Sequence, residues 1–129
     1  MAKIEKFEDI ESWKLAREIT NLVYAMTSNG SFSRDFALCN QIRKASVSIL
    51  SNIAEGFERG GNKEFLSFLG IAKGSCGEVR CQLYVALDQS YIDKNQFQIL
   101  SEKLSETSRL ISGLMKYLQQ SELRGSKFK

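Results

Sequence analysis

A chain of 129 residues with a hydrophobic fraction of 43% is long enough for one buried core and too short for two domains, and that apolar content excludes disorder. Histidine and proline are both absent; the first absence removes the usual general base and metal ligand near neutral pH, and the second suits long helices. The net charge of +3 is a mild basic bias, too diffuse to make a strong nucleic-acid surface on one copy.

Asp9 is the expected N-cap of a first helix over about 9–27, whose apolar positions Ile10, Trp13, Ala16, Ile19, Leu22 or Val23, and Met26 recur every three or four residues. Ser28-Asn29-Gly30-Ser31 ends it, because such residues favour turns. Ser33 is expected to cap a second helix over about 34–59, with Asp35 in its first turn, where the macrodipole favours an acid. Its seam is Cys39, Ile42, Ser46, Ile49, Ile53 and Phe57, and Gly60-Gly61 closes it.

Asn62 is then the expected cap of a third helix over about 63–89, with the seam Phe65, Leu69, Ala72, Cys76, Val79, Leu83 and Ala86. Asp93 and Gln96 read as a capping box for a fourth helix over about 94–120. Its seam is Phe97, Leu100, Leu104, Thr107, Ile111, Leu114 and Leu118, and residues 121–129 read as a frayed basic tail. A mean apolar spacing near 3.5 residues marks helices packed in a left-handed bundle. Short connections make successive helices antiparallel. The expected fold is all-α, a single-domain, up-down-up-down antiparallel four-helix bundle.

The third helix carries a second stripe, Ser67, Gly70, Gly74, Gly77 and Cys81, roughly 200° from its core seam at 100° per residue. Three interior glycines cost about 1 kcal/mol each relative to alanine, which implies that something approaches the backbone there. A neighbouring helix of the same bundle would fit, and so would another subunit. Phe68, Tyr84 and Tyr117 lie off the core seams and favour the second choice, since a monomer would leave them wet. The candidate oligomer interface is therefore Ser67, Phe68, Gly70, Gly74, Gly77 and Tyr84.

Arg43, Lys44, Arg59, Lys63, Lys73 and Arg80 follow the second and third helices and their junction. They form either a solvated face or, summed around an oligomer, a track for RNA or DNA whose affinity falls steeply with salt. Ser48, Asn52, Glu55 and Arg59 line one side of the second helix, as a polar flank, an inter-subunit strip or a polar site near the turn. Gly56-Phe-Glu-Arg-Gly-Gly-Asn-Lys-Glu64 lacks the Gly-Lys-Ser/Thr of a phosphate loop and follows no strand. Cys39, Cys76 and Cys81 are odd in number and lack zinc-site spacing, so buried free thiols are expected. No cofactor, metal site or catalytic residue is assigned. An enzyme would have to work with Glu55, Arg59 or Glu64 at a subunit junction. No apolar run reaches the ~20 residues that span a bilayer, and Met1 to Glu11 carries Glu5, Glu8 and Asp9 without an apolar centre, so a cytoplasmic protein is expected.

Phe7-Glu-Asp-Ile-Glu-Ser-Trp-Lys-Leu-Ala16, Gln41-Ile-Arg43, Ala45, Ser48-Ile49, Ser51-Asn-Ile-Ala-Glu-Gly56, Arg59, Glu64-Phe65, Phe68-Leu69, Ile71-Ala72, Gly74-Ser75, Glu78, Gln82 and Tyr91-Ile92 together resemble the signature of the bacterial 23S rRNA-intervening-sequence proteins. Leu50 stands where that family usually has proline, which softens or removes a kink in the second helix. The resemblance implies an antiparallel four-helix bundle that assembles into pentamers. It extends to the accessory variability determinants of diversity-generating retroelements, whose pentameric barrel binds a reverse transcriptase and nucleic acid. It implies a non-catalytic oligomeric adaptor, with RNA, DNA or a reverse transcriptase-like protein as partner, or a protein-only scaffold.

Overall fold

Apolar residues at helical spacing put the chain into four long helices, and their seams bring the helices together. The computed structural model describes residues 4–128, with side chains described for residues 4–121. A 3-10 turn at Phe7–Asp9 leads into α1 (Glu11–Met26), and a second at Ser31–Arg34 leads into α2 (Phe36–Glu58). Then come α3 (Asn62–Asp88) and α4 (Lys94–Phe128). Each helix packs on its two neighbours in the cycle α1, α2, α3, α4 and back to α1, which is the antiparallel four-helix bundle. Ser48 opposite Ser75 and Gly56 opposite Phe68 show α2 and α3 running in opposite directions.

The seams occupy the centre. Ala16, Ile19, Val23, Ile42, Ile49, Ile53, Leu69, Val79, Leu83, Leu104 and Ile111 are fully buried. Of the two choices on α1, Val23 takes the core position and Leu22 stays partly exposed. Thr107 sits inside the α4 seam because its hydroxyl donates to the Lys103 carbonyl at 2.7 Å, which satisfies a buried polar group. Phe57 and Phe97 lie half-buried at the ends of their seams.

Three helix starts differ from the sequence expectation. Asp9 does not cap α1: its carboxylate accepts from the Glu5 and Lys6 amides and closes the 3-10 turn, so Ile10 becomes the N-cap of α1. Ser33 does not cap α2: its hydroxyl donates to the Gly30 carbonyl, and Asp35 accepts from the Leu38 amide at 3.0 Å. Asn62 is the first helical residue of α3, behind Gly61 as N-cap. The capping box of α4 forms in full, with the Asp93 carboxylate accepting from the Gln96 amide at 2.7 Å and the Gln96 side chain accepting from the Asp93 amide at 3.0 Å. Helix α2 runs without a break through Leu50. The α4 backbone is helical to Phe128. The basic side chains of the tail lie outside the described residues.

Two turns hold the connections. Gly60, at φ 86°, adopts the left-handed conformation that ends α2, where any side chain would be strained. The α3–α4 connection is fixed on α2: Tyr91 stacks on Phe32 at 5.0 Å and donates its hydroxyl to the Asp35 carboxylate at 3.0 Å. Asp35 therefore caps one helix and anchors the turn between two others.

Candidate interaction surface

The glycine stripe of α3 faces away from the bundle. Gly70, Gly74 and Gly77 are exposed, and a Cβ built on any of them meets nothing within 4 Å. Of the two alternatives for the stripe, this rules against a neighbouring helix of the same bundle. Ser67 and Cys81 share the exposed face. Beside it lie Ile71 at 51%, Tyr84 at 55% and Val85 at 43% relative exposure, apolar side chains that a partner would have to cover. Tyr84 leans its ring edge-on to Phe97 at 4.8 Å, which marks the α4-facing flank of α3. Phe68 is half-buried rather than open, with the Arg59 guanidinium over its ring at 5.1 Å.

Gly56 does the opposite of the α3 glycines. A Cβ there would stand 2.7 Å from the Phe68 Cβ and 3.1 Å from the Phe65 ring, so α2 and α3 approach too closely for any side chain. The Ala-Glu-Gly segment of the sequence signature thus serves packing at this point. Further along the same junction the Ser48 and Ser75 hydroxyls share a hydrogen bond of 2.8 Å. Asn52 donates to both the Ser48 carbonyl and its hydroxyl. Of the polar strip on α2, Ser48 bonds across to α3 and Arg59 reaches the Phe68 ring, while the bonds of Asn52 and Glu55 stay within their own helix and its cap. Gln82, buried on the same flank, donates to Glu78 at 3.4 Å, while its carbonyl oxygen has no partner.

The six basic candidates do not make one patch. Arg43 turns toward α1: its Nε donates to Thr27 Oγ1 at 2.8 Å, and its guanidinium lies 4.6 Å from the centre of the Tyr24 ring. It ties the end of α1 to α2. Arg59 pairs with Glu55 at 2.8 Å, both half-exposed. Lys44, Lys63, Lys73 and Arg80 are exposed. Lys73 and Arg80, seven residues apart, fall on the Tyr84 flank of α3 at 100° per residue. Ser75 and Phe68 mark the other flank, toward α2.

Chemistry at the α2–α3 turn finds little enclosure. Glu55 and Arg59 are open to solvent on about half their side-chain surface, and Glu64 is exposed. Clefts of about 400 Å³ and 380 Å³ lie instead along the α1–α4 seam, one by Leu22, Met26 and Ile99, the other by Ile10, Leu110 and Leu114. Among the described residues no three His, Cys, Asp or Glu side chains come together as a metal site, and no helix is long and apolar enough to cross a membrane. Cys39 and Cys76 are buried, but Cys81 is exposed, against the expectation for all three. Burial pushes the Cys76 thiol up to about 11, with Arg80 opposing. Burial also raises Cys39, whose thiol lies 3.1 Å from the Phe32 carbonyl. Such thiols stay protonated and unreactive at neutral pH.

Sequence reasoning passed over Ile71, Val85, Ile99 and Leu110. The signal was present: Ile99, Leu110 and Tyr117 each directly precede a core residue of α4, Leu100, Ile111 and Leu118. A second apolar row beside a buried one widens the apolar face beyond what a single bundle can cover.

These features define the class: an antiparallel helical bundle that keeps a small-residue groove and apolar rows on its outside. Residues 8–113 match the 23S rRNA-intervening sequence protein family, and the chain belongs to that family. It is similar in fold to a protein of unknown function from the S23 ribosomal protein family of Bacteroides thetaiotaomicron, with a TM-score of 0.70 and 24% identity over 81% of this chain and 94% of that one. No curated protein matches the chain.

Proposed function

We propose that this chain is a non-catalytic, homo-oligomeric interaction protein, most simply a pentamer, whose assembled form binds RNA, DNA or an enzyme acting on them. The carrying observation is the open glycine face of α3. Three interior glycines lower helix stability by about 3 kcal/mol in total relative to alanine, and among the described residues no group gains from their smallness. A second subunit laid along Gly70, Gly74 and Gly77 would, because backbone-to-backbone approach multiplies van der Waals contact. The nucleic-acid part is supported by Lys44, Lys63, Lys73 and Arg80 on the outside, and by the resemblance to the retroelement accessory proteins. Five copies of a +3 chain would carry 5 × 3 = +15, enough for non-specific attraction to a polyanion.

Sedimentation equilibrium on the purified chain tests the assembly. A monomer at micromolar concentration would refute it. Maleimide labelling adds a local readout, since Cys81 sits on the stripe while Cys39 and Cys76 are buried: assembly should slow labelling as concentration rises. Fluorescence anisotropy with a single-stranded RNA tests the ligand. Micromolar, sequence-tolerant binding should weaken steeply with salt, and the Lys44→Gln, Lys63→Gln, Lys73→Gln triple variant should bind less. Failure to bind at low salt, where charge is least screened, would leave a protein-only scaffold.

A further inference from the structure

We propose that the outer face between α1 and α2 seats single-stranded nucleic acid, with unpaired bases stacked on Tyr24 and Phe36 and phosphates held by Arg43, Arg34 and Arg17. This rests on the nucleic-acid reading above, and gives it a face and a strand form that the scattered lysines do not.

The arginines are held in place without being neutralised. Arg43 donates from Nε to Thr27 Oγ1 at 2.8 Å and from Nη2 to Ser28 Oγ at 3.4 Å. Both partners are hydroxyls, so the charge stays whole, and the rest of its five N–H donors stay open. Its guanidinium lies 4.6 Å from the centre of the Tyr24 ring, and that of Arg17 lies 5.9 Å from the centre of the Trp13 ring. Neither arginine belongs to an ion pair among the described residues. Arg34 is exposed in the 3-10 turn two residues before Phe36.

Acids are kept off this face. On α1, Glu18 reaches Lys103 of α4, and Glu11, seven residues earlier, shares that side at 100° per residue. Asp35 is occupied, one oxygen accepting from the Leu38 amide and the other from the Tyr91 hydroxyl. Glu58 follows Arg43 by fifteen residues, roughly 22 Å along α2 and beyond the screening length of about 8–10 Å. The Tyr24 end of the face is therefore positive, which suits a polyanion.

Its aromatic rings are open. Phe36, at 79% relative exposure, is the most exposed large apolar side chain among the described residues, and Tyr24 is exposed at 43%. Phe36 and Arg43 are seven residues apart and share one face of α2, about 10 Å from each other along its axis. A stacked nucleotide advances about 3.4 Å along its strand, so the Phe36 ring and the Tyr24 ring beside Arg43 would take different bases of one strand. Paired bases keep their faces inside the duplex, and only an unpaired strand can lay them on protein rings.

Fluorescence anisotropy at low salt tests this with a labelled oligouridylate and its duplex with oligoadenylate. The unmodified chain should bind the single strand more tightly than the duplex. Phe36→Ala and Tyr24→Leu should each weaken single-strand binding about 5- to 100-fold, with the salt slope and duplex binding unchanged. Arg17→Gln and Arg34→Gln should instead each lower the salt slope by about 1. Phe36→Trp should keep the affinity, and its added emission should be quenched by the single strand. Helical circular dichroism verifies folding of every variant, and Phe36, being so exposed, can change without disturbing the core. If Phe36→Ala and Tyr24→Leu bind the single strand as the unmodified chain does, or if the duplex binds as tightly, this face is wrong while the nucleic-acid reading stands. If the unmodified chain binds neither form, both fall.

Discussion

One substitution, glycine to alanine, should change stability in opposite directions at two positions of this chain. At Gly74 the added methyl meets nothing within 4 Å, so only helix propensity acts, and alanine should stabilise the folded monomer by about 0.8–1 kcal/mol. At Gly56 the same propensity gain is opposed by contact. The methyl would stand 2.7 Å from the Phe68 Cβ and 3.1 Å from the Phe65 Cδ1. A Cβ cannot rotate out of the way, so α2 and α3 must separate, and overpacking of this kind costs about 1–3 kcal/mol. With the contact at the upper end of that range, the net effect is a loss of about 1–2 kcal/mol. Urea unfolding followed by circular dichroism measures both, at concentrations low enough that the midpoint no longer depends on dilution. If Gly56→Ala stabilises as much as Gly74→Ala, the close approach of α2 and α3 is not what requires glycine at 56.

Two further outcomes follow from the core. Leu104→Ala should cost about 2–5 kcal/mol, since Leu104 is fully buried and truncation leaves a cavity; a loss below about 0.5 kcal/mol would place it on the surface. Stability should also fall on alkaline titration. Cys76 is raised from 9.0 to about 11 by burial, and Tyr91 is raised because its hydroxyl donates to Asp35. In each case the unfolded chain loses its proton first, so the native state holds more protons and stability declines as pH rises. For Cys76 the contribution is whole below about pH 9 and lost toward pH 11, about 2–3 kcal/mol at most. Denaturant unfolding at pH 8 and 10.5 measures the decline, and Cys76→Ala should show a smaller one; an equal decline would remove Cys76 as its source.

The core was legible because burial repeats along the chain. Phe65 to Ala86 and Leu100 to Leu118 step through buried positions at bundle spacing, and a helix has only one way to bury such a row. The helix starts were legible only where the signal was local and reciprocal, as at Asp93 and Gln96. Ser33 and Asp35 are both good caps two residues apart, and the choice between them is made by the 3-10 turn that carries Ser33 back to Gly30. Arg43 looked like its basic neighbours because its role depends on Thr27 and Tyr24 from another helix. The glycine stripe could be placed around α3 from the sequence, yet its angle alone did not say whether α3 had a neighbour on that side.

The glycines of α2 and α3 make a physical argument about where the chain is complete. Gly56 is matched inside the molecule: its missing side chain is the space that Phe68 fills. Gly70, Gly74 and Gly77 are matched by nothing among the described residues, so their cost of about 3 kcal/mol weighs on the isolated chain without return. An interface of micromolar strength corresponds to about 8 kcal/mol, more than enough to offset it. On the self-association proposed above, the folded monomer is the less stable partner in a linked equilibrium, and association draws folding with it by mass action. The exposed Ile71, Val85, Ile99 and Leu110 point the same way, since they are neither needed by the core nor covered by it. The apolar core of the bundle is therefore closed by one chain, whereas on the self-association proposed above the outer face of α3 is where a second copy would change the balance.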